Sequence, residues 1–324
     1  MRKMFALLAA AAAFSACSDD LAPANQLAGI RILATRAEPA YARPGETVTL
    51  ETLAVDARPD RPEPMRISYV PAVCFNPEAD DPTSCYPALR SAFPAHTNLD
   101  AQLAAGATFA VTLPDDVIAS AAPARTGPPR GIGFVFVVAC GGHVERLEPD
   151  PGYPTRPPLG CFDGHGNPLG KDDVVFGFAR IYAFTELRNA NPAIDALTYE
   201  GAVIDPAGFE LERCTAGNDD DCTKTYLDAQ VPAAAQEPDP AATTSARAYH
   251  EQVWVSYYVT GGKLEHDLSI LYDSVTGKVA DSKDGLTAAS SPGDYTLYAI
   301  LRDNRGGVSW KTVPFKIYEP RNQR

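Results

Sequence analysis

The sequence predicts an all-β chain: two antiparallel β-sandwich domains behind a short N-terminal leader. Three observations predict it. Apolar residues alternate with period two over many short runs, turn-forming residues separate those runs, and no convincing 3.6-residue apolar stripe lies between them. The residues left after the leader, about 308, are too many for one ordinary sandwich and suit two.

The leader comes first. Arg2 and Lys3 precede an apolar run from Met4 to Phe14. A membrane-spanning helix needs about 20 apolar residues, so this run is too short to span and fits the apolar region of a secretory signal peptide. Phe14, Ser15 and Ala16 then lead to Cys17. Two small residues and a cysteine at this place resemble a bacterial lipobox, although Phe14 stands where Leu is usual. The resemblance implies that residues 1–16 are removed and that Cys17 carries a diacylglycerol and an N-linked acyl chain such as palmitate. Each buried lipid CH₂ contributes about 0.8 kcal/mol, so chains of this number anchor stably. The bland alternative is an ordinary secretory signal with an incidental cysteine. Ser18, rather than Asp, follows Cys17. By resemblance to sorting in enteric bacteria, that points to the outer membrane. Residues 18–27 form a polar tether of at most about 35 Å.

Residues 1–16 hold two bases and no acid, so their removal takes the net charge from −13 to −15. Such a chain repels nucleic acid and anionic headgroups, and no basic cluster offsets it. Six cysteines remain: Cys74, Cys85, Cys140, Cys161, Cys214 and Cys222. An even number in an exported chain reads as disulfides. Six allow fifteen pairings. The spacing favours the local set Cys74–Cys85, Cys140–Cys161 and Cys214–Cys222, each closing a turn-rich loop.

The strands follow in order. In "IRILATRAEPAYARPGETVTLETLAVD", Ile30 and Ile32 alternate with Arg31, Pro44-Gly45 turns the chain, and Val48 and Leu50 alternate with Thr47, Thr49 and Glu51. "ATFAVTLP" sets Phe109, Val111 and Leu113 on one face. "GFVFVVAC" is apolar on both faces, which predicts a central strand. "VVFGFARIYAF" puts Phe176, Phe178, Tyr182 and Phe184 on one face. "NLDAQLAAGA" and "DDVIASAA" suit short helical turns. This first domain is placed at 28–187, enlarged by loops 74–100 and 141–172. Asn-Pro within "LRNANPAI" marks the break. The second domain, 188–319, holds a strand pair around Cys214–Cys222. It continues with "EQVWVSYYV", "DLSILYD", "DYTLYAILRD" and "TVPFKIYE", and residues 320–324 form a tail. "RDNRGGVSW" has hairpin chemistry.

"RAEPAYARPGETVTLETLAVD" resembles the first hairpin of bacterial immunoglobulin-like domains. "EQVWVSYYVTGGKLEHD" with "YTLYAILRDNRGGVSW" resembles the C-terminal part of uncharacterised, Ala/Pro-rich lipoproteins of the myxobacterial type. The resemblance is stronger at the two ends of the chain than in its middle. It implies two immunoglobulin-like β-sandwich domains in a lipid-anchored envelope protein, and no activity. The antibody Cys–Trp–Cys core is not reproduced.

Each candidate site has a structural counterpart. Cys140-x₂-His143 and Cys161-x₃-His165 supply a Cys₂His₂ set that suits zinc. Export favours instead a Cys140–Cys161 disulfide beside two loop histidines, so no metal and no cofactor is expected. Asp219, Asp220 and Asp221 lack the glycine and glutamate register of a calcium loop and read as surface acids. The aromatic row on "VVFGFARIYAF" and Trp254 and Trp310 read as packing residues, since large aromatics dominate buried area. Tyr257, Tyr258 and Trp310 are the candidates should any exposed aromatic bind a partner. No nucleophile elbow, zinc-protease helix or phosphate loop is present in the sequence. The reading is therefore no enzyme but a structural or binding module on the outer membrane, held to it by lipid and taking an envelope protein or glycan through loops 74–100 and 141–172. The alternative is a metal-dependent module or enzyme at Cys140/His143/Cys161/His165.

Overall fold

The computed structural model describes residues 23–124, 127–153, 155–216, 221–242 and 247–319. The signal-peptide and Cys17 readings, and Asp219 and Asp220, lie outside the described residues. The first strands are β1 (Ile30–Glu38), β2 (Tyr41–Ala42), β3 (Thr47–Asp56), β4 (Arg66–Tyr69) and β5 (Cys74–Phe75). After helix α1 (Tyr86–Ala92) come β6 (Ala104–Ala105), β7 (Thr108–Thr112), β8 (Gly131–Cys140), β9 (His143–Arg146), β10 (Leu159–Phe162) and β11 (Val174–Ala183). The later strands are β12 (Ala196–Tyr199), β13 (Ala202–Val203), β14 (Phe209–Glu212), β15 (Lys224–Gln230), β16 (Val253–Val259) and β17 (Lys263–Leu264). They end with β18 (Ser269–Asp273), β19 (Gly277–Lys278), β20 (Asp284–Thr287), β21 (Gly293–Asp303) and β22 (Val308–Tyr318). Strands β1–β11 pair only among themselves, and β12–β22 likewise. The fold is all-β and sandwich-like, with layered, mainly antiparallel sheets of immunoglobulin-like kind.

In the first body a sheet of order β1-β3-β7 packs on one of order β2-β11-β8-β4-β6, with β5 beside β8. Every residue of β8 is buried. Its odd side chains, Val135 and Val137, meet Val48, Leu50 and Val111 between the two sheets. Its even side chains, Phe134, Phe136 and Val138, face the other way into a second cluster with Tyr86, Leu89 and Phe93. A strand with a core on each face must be apolar throughout, which is the pattern of "GFVFVVAC". The outer cover is made by α1, the β9–β10 hairpin and the loops joining them. The disulfides Cys74–Cys85 and Cys140–Cys161 fasten that cover to β5 and β8. Loops 74–100 and 141–172 thus spend Tyr86, Leu89, Phe93, Leu99, Val144 and Leu159 on a core. Helix α1 escaped the sequence reading because its seven residues are too few for a helical stripe to be recognised.

In the second body a sheet of order β13-β12-β15-β20-β17 packs on one of order β14-β22-β21-β16-β18-β19. β14 joins β22 in parallel, and Phe209 stacks on Phe315 at 5.2 Å and on Tyr199 at 4.8 Å. Gly208 makes this approach possible. Its φ is +102°, and a Cβ there would meet the Pro314 carbonyl oxygen at 2.1 Å. Cys214 and Cys222 close the third disulfide.

The bodies meet over a further apolar cluster. Leu27, Leu33, Ala34 and Val55 pack against Tyr298, Ile300 and Val308. Odd side chains of β21 (Leu297, Ala299, Leu301) fill the second body's own core, so β21 too is buried on both faces. Arg36 stacks its guanidinium 4.9 Å from the Trp310 ring. The segment that precedes β1 joins here as well: Leu27 N–H donates to Val259 O at 2.9 Å, and Val259 N–H to Asn25 O at 3.0 Å.

Candidate ligand cleft

The side of the first sandwich where the outer edges of β1 and β11 face each other is closed by no further strand, except where β2 pairs with Tyr182 and Ala183. The turn between β21 and β22 approaches this opening. Together they line a shallow, open cleft of about 750 Å³. That lies within the range of roughly 300–1,000 Å³ that seats small organic ligands.

The alternation of β11 sends Phe176, Phe178, Arg180 and Tyr182 to one face. The aromatic row is not uniformly core, which corrects the sequence reading. Phe176 lies under α1, stacked 5.5 Å from Phe136 with Tyr86 edge-on, and Phe184 is covered by Tyr41 at 4.6 Å. Phe178 falls between these covers and is 44% exposed. Tyr182 and Trp254 are half-buried and line the same cleft.

Two guanidinium groups line the cleft. Arg180 donates to the Tyr182 hydroxyl at 3.0 Å and lies 5.0 Å from the Phe134 ring centre. Arg302 donates to the Leu33 carbonyl, and burial lowers its pKa. Neither has a carboxylate partner among the described residues.

The cleft's far wall is a rigid turn. Asp303 Oδ1 accepts the N–H of Arg305 at 2.7 Å and of Gly307 at 2.8 Å, and Oδ2 accepts Asn189 Nδ2 at 3.2 Å. Gly306, with φ of +100°, brings the turn against the Tyr182 ring. Arg305 sends its N–H groups to Pro238 O at 2.9 Å and to Arg188 O, and lies over the Tyr41 ring. Buried Glu251 puts Oε1 3.1 Å from Arg305 Nη1, but without the alignment of a hydrogen bond. That contact is too weak to offset burial, and the Asp303 carboxylate adds to it. The Glu251 carboxyl is pushed up to about 8. Burial raises Asp303 as well.

The other sequence candidates fall elsewhere. Cys140 and Cys161 are joined to each other, so the alternative zinc set is not assembled. His143 Nε2 sits 2.9 Å from Glu145 Oε1, and His165 is exposed in its loop. Tyr257 is buried in the second core, and Tyr258 and Trp310 pack at the junction of the bodies. Sequence reasoning missed one group of possible metal ligands. Glu265, His266 and Asp284 place ligating atoms within 4.8 Å of one another. One oxygen of each carboxylate and one ring nitrogen of the histidine are already engaged. Asp284 Oδ1 accepts the backbone N–H of Glu265 and of His266, both at 3.2 Å, and faces His266 Nδ1 at 3.2 Å. Lys224 Nζ holds Glu265 Oε1 at 3.1 Å.

No protein-family profile matches the chain, and no curated protein matches it. Solved structures similar to it include the fibronectin(III)-like modules of CbhA from Clostridium thermocellum. They show 9% identity and a TM-score of 0.21, over 91% of this chain and 97% of that one. Alpha-2-macroglobulin from E. coli, in its native conformation, aligns at 12% identity and a TM-score of 0.24, over 92% of this chain and 17% of that one. Dimeric latent PorU from Porphyromonas gingivalis aligns at 9% and 0.20, over 90% and 24%.

Proposed function

We propose that this chain is a lipid-anchored binding module of the outer membrane, without catalysis, and that the cleft between its two sandwiches seats the ligand. The observation that carries the reading is Phe178: a large aromatic left 44% exposed on a strand whose neighbouring aromatics are covered. It sits in an open cleft beside two arginines that no carboxylate neutralises among the described residues. Aromatic faces and guanidinium groups bind ligands and do not exchange protons near neutrality, so the chemistry on offer is recognition. The anchor rests on the leader, Cys17 and the resemblance to myxobacterial-type lipoproteins. The three disulfides suit the oxidising side of the membrane.

Two measurements test this. Metabolic labelling with a palmitate analogue should mark the wild type, and Cys17→Ala should be unlabelled and released from membranes. Capture from the native envelope should recover a ligand that Phe178→Ala loses. A labelled Cys17→Ala chain would remove the anchor, and capture indifferent to Phe178→Ala would remove the cleft.

A further inference from the structure

We propose that the cleft takes an acidic carbohydrate, a glycan whose pyranose rings carry carboxylates. This rests on the cleft being the ligand seat. The exposed ring of Phe178, with the half-buried Tyr182 and Trp254 in the same cleft, supplies aromatic surface that suits the C–H face of a sugar ring. Beside them stand Arg180 and Arg302, whose partners are the Tyr182 and Tyr258 side chains, a backbone carbonyl and ring faces. A guanidinium presents five N–H donors in a planar fork that matches a carboxylate. Arg302 is half-buried without a counter-charge, a costly state that an incoming anion relieves. Asp303 is the acid in the cleft wall, but it is buried with both oxygens engaged in the turn, so it neutralises neither arginine.

The rest of the chain narrows the class. A net charge of −15 once residues 1–16 are removed repels a long polyanion such as a nucleic acid, so the ligand that fits is a short oligosaccharide with few carboxylates. An acidic peptide added as a strand fits less well. β1 carries an irregularity between Ile32 and Ala34, and Arg302 occupies the Leu33 carbonyl, so its edge offers no regular ladder.

The test is calorimetric titration of the full-length protein with trigalacturonate, its methyl ester, sialyllactose, lactose and hexaglutamate. At least one acidic sugar should bind about tenfold or more tighter than its neutral counterpart, and hexaglutamate should bind weakly. Arg180→Gln, at an exposed side chain, should cost the acidic sugar about tenfold and the neutral one far less. Arg302→Gln should do the same if it folds. Phe178→Ala should weaken both. Equal binding of acidic and neutral sugars, still lost in Phe178→Ala, would overturn the acidic class and leave the cleft standing. Hexaglutamate matching the sugars would overturn the carbohydrate class, as would no binding by either acidic sugar. Acidic-sugar binding unchanged in both Phe178→Ala and Arg180→Gln would overturn the cleft itself.

Discussion

Glu251→Gln tests the electrostatics of the turn that walls the cleft. Glu251 is 1% exposed and faces three charged groups: Arg305, which favours its ionised form, and Asp303 and Glu237, which oppose it. The ordinary carboxyl value of 4.5 rises to about 8 in the folded chain. A raised acid binds its proton more tightly folded than unfolded. Stability contributed by that proton is therefore complete below 4.5 and is lost as pH climbs through the folded value. At 1.36 kcal/mol per pKa unit the full loss is about 5 kcal/mol, most of it between pH 5 and 8. Glutamine keeps the shape and cannot ionise. Variant and wild type should be nearly equally stable at pH 5, and the variant more stable by several kcal/mol at pH 8. Both tryptophans stand by this junction, one in the cleft wall and one under Arg36, so their fluorescence in urea titrations at several pH values is the assay. A stability difference that stays constant from pH 5 to 8 would refute the reasoning, as would one that favours wild type more as pH rises.

Three further outcomes follow from the packing. Replacing Cys140 and Cys161 together by alanine should lower stability by about 3 kcal/mol in thermal or urea unfolding, from the loop of separation 21 that the bond closes. Mass mapping of the unreduced wild type should find that pair linked. Phe136→Ala, at a fully buried ring between β8 and α1, should cost about 3–5 kcal/mol in the same assay. Gly208→Ala should cost more than Gly106→Ala. Both have positive φ, but only Gly208 would drive a Cβ onto a carbonyl oxygen, so the difference in melting temperature isolates that collision.

Much of the fold was readable because local chemistry and tertiary environment agreed. "GFVFVVAC" declared a strand with two buried faces, and the structure supplies a cover for each. Asp303 and Gly306 declared the β21–β22 turn, and the short cysteine spacings declared the disulfides. The cleft was not readable. Whether Phe178 is covered depends on how far α1 reaches from one side and Tyr41 from the other, neither of which periodicity encodes. The alternation of "DYTLYAILRD" does not set Arg302 apart. The residue becomes half-buried only because Leu33 and the rest of β1 close over β21, a contact between segments about 270 residues apart.

The path of residues 25–27 has a mechanical consequence. Asn25 and Leu27 are bonded to Val259, at the end of β16, before the chain begins β1. A pull on the N-terminus is therefore taken up first by the second sandwich, and the opening strand of the first is shielded from it. The seam between the two bodies becomes the element that carries load, and tension passes beside the cleft rather than through its floor.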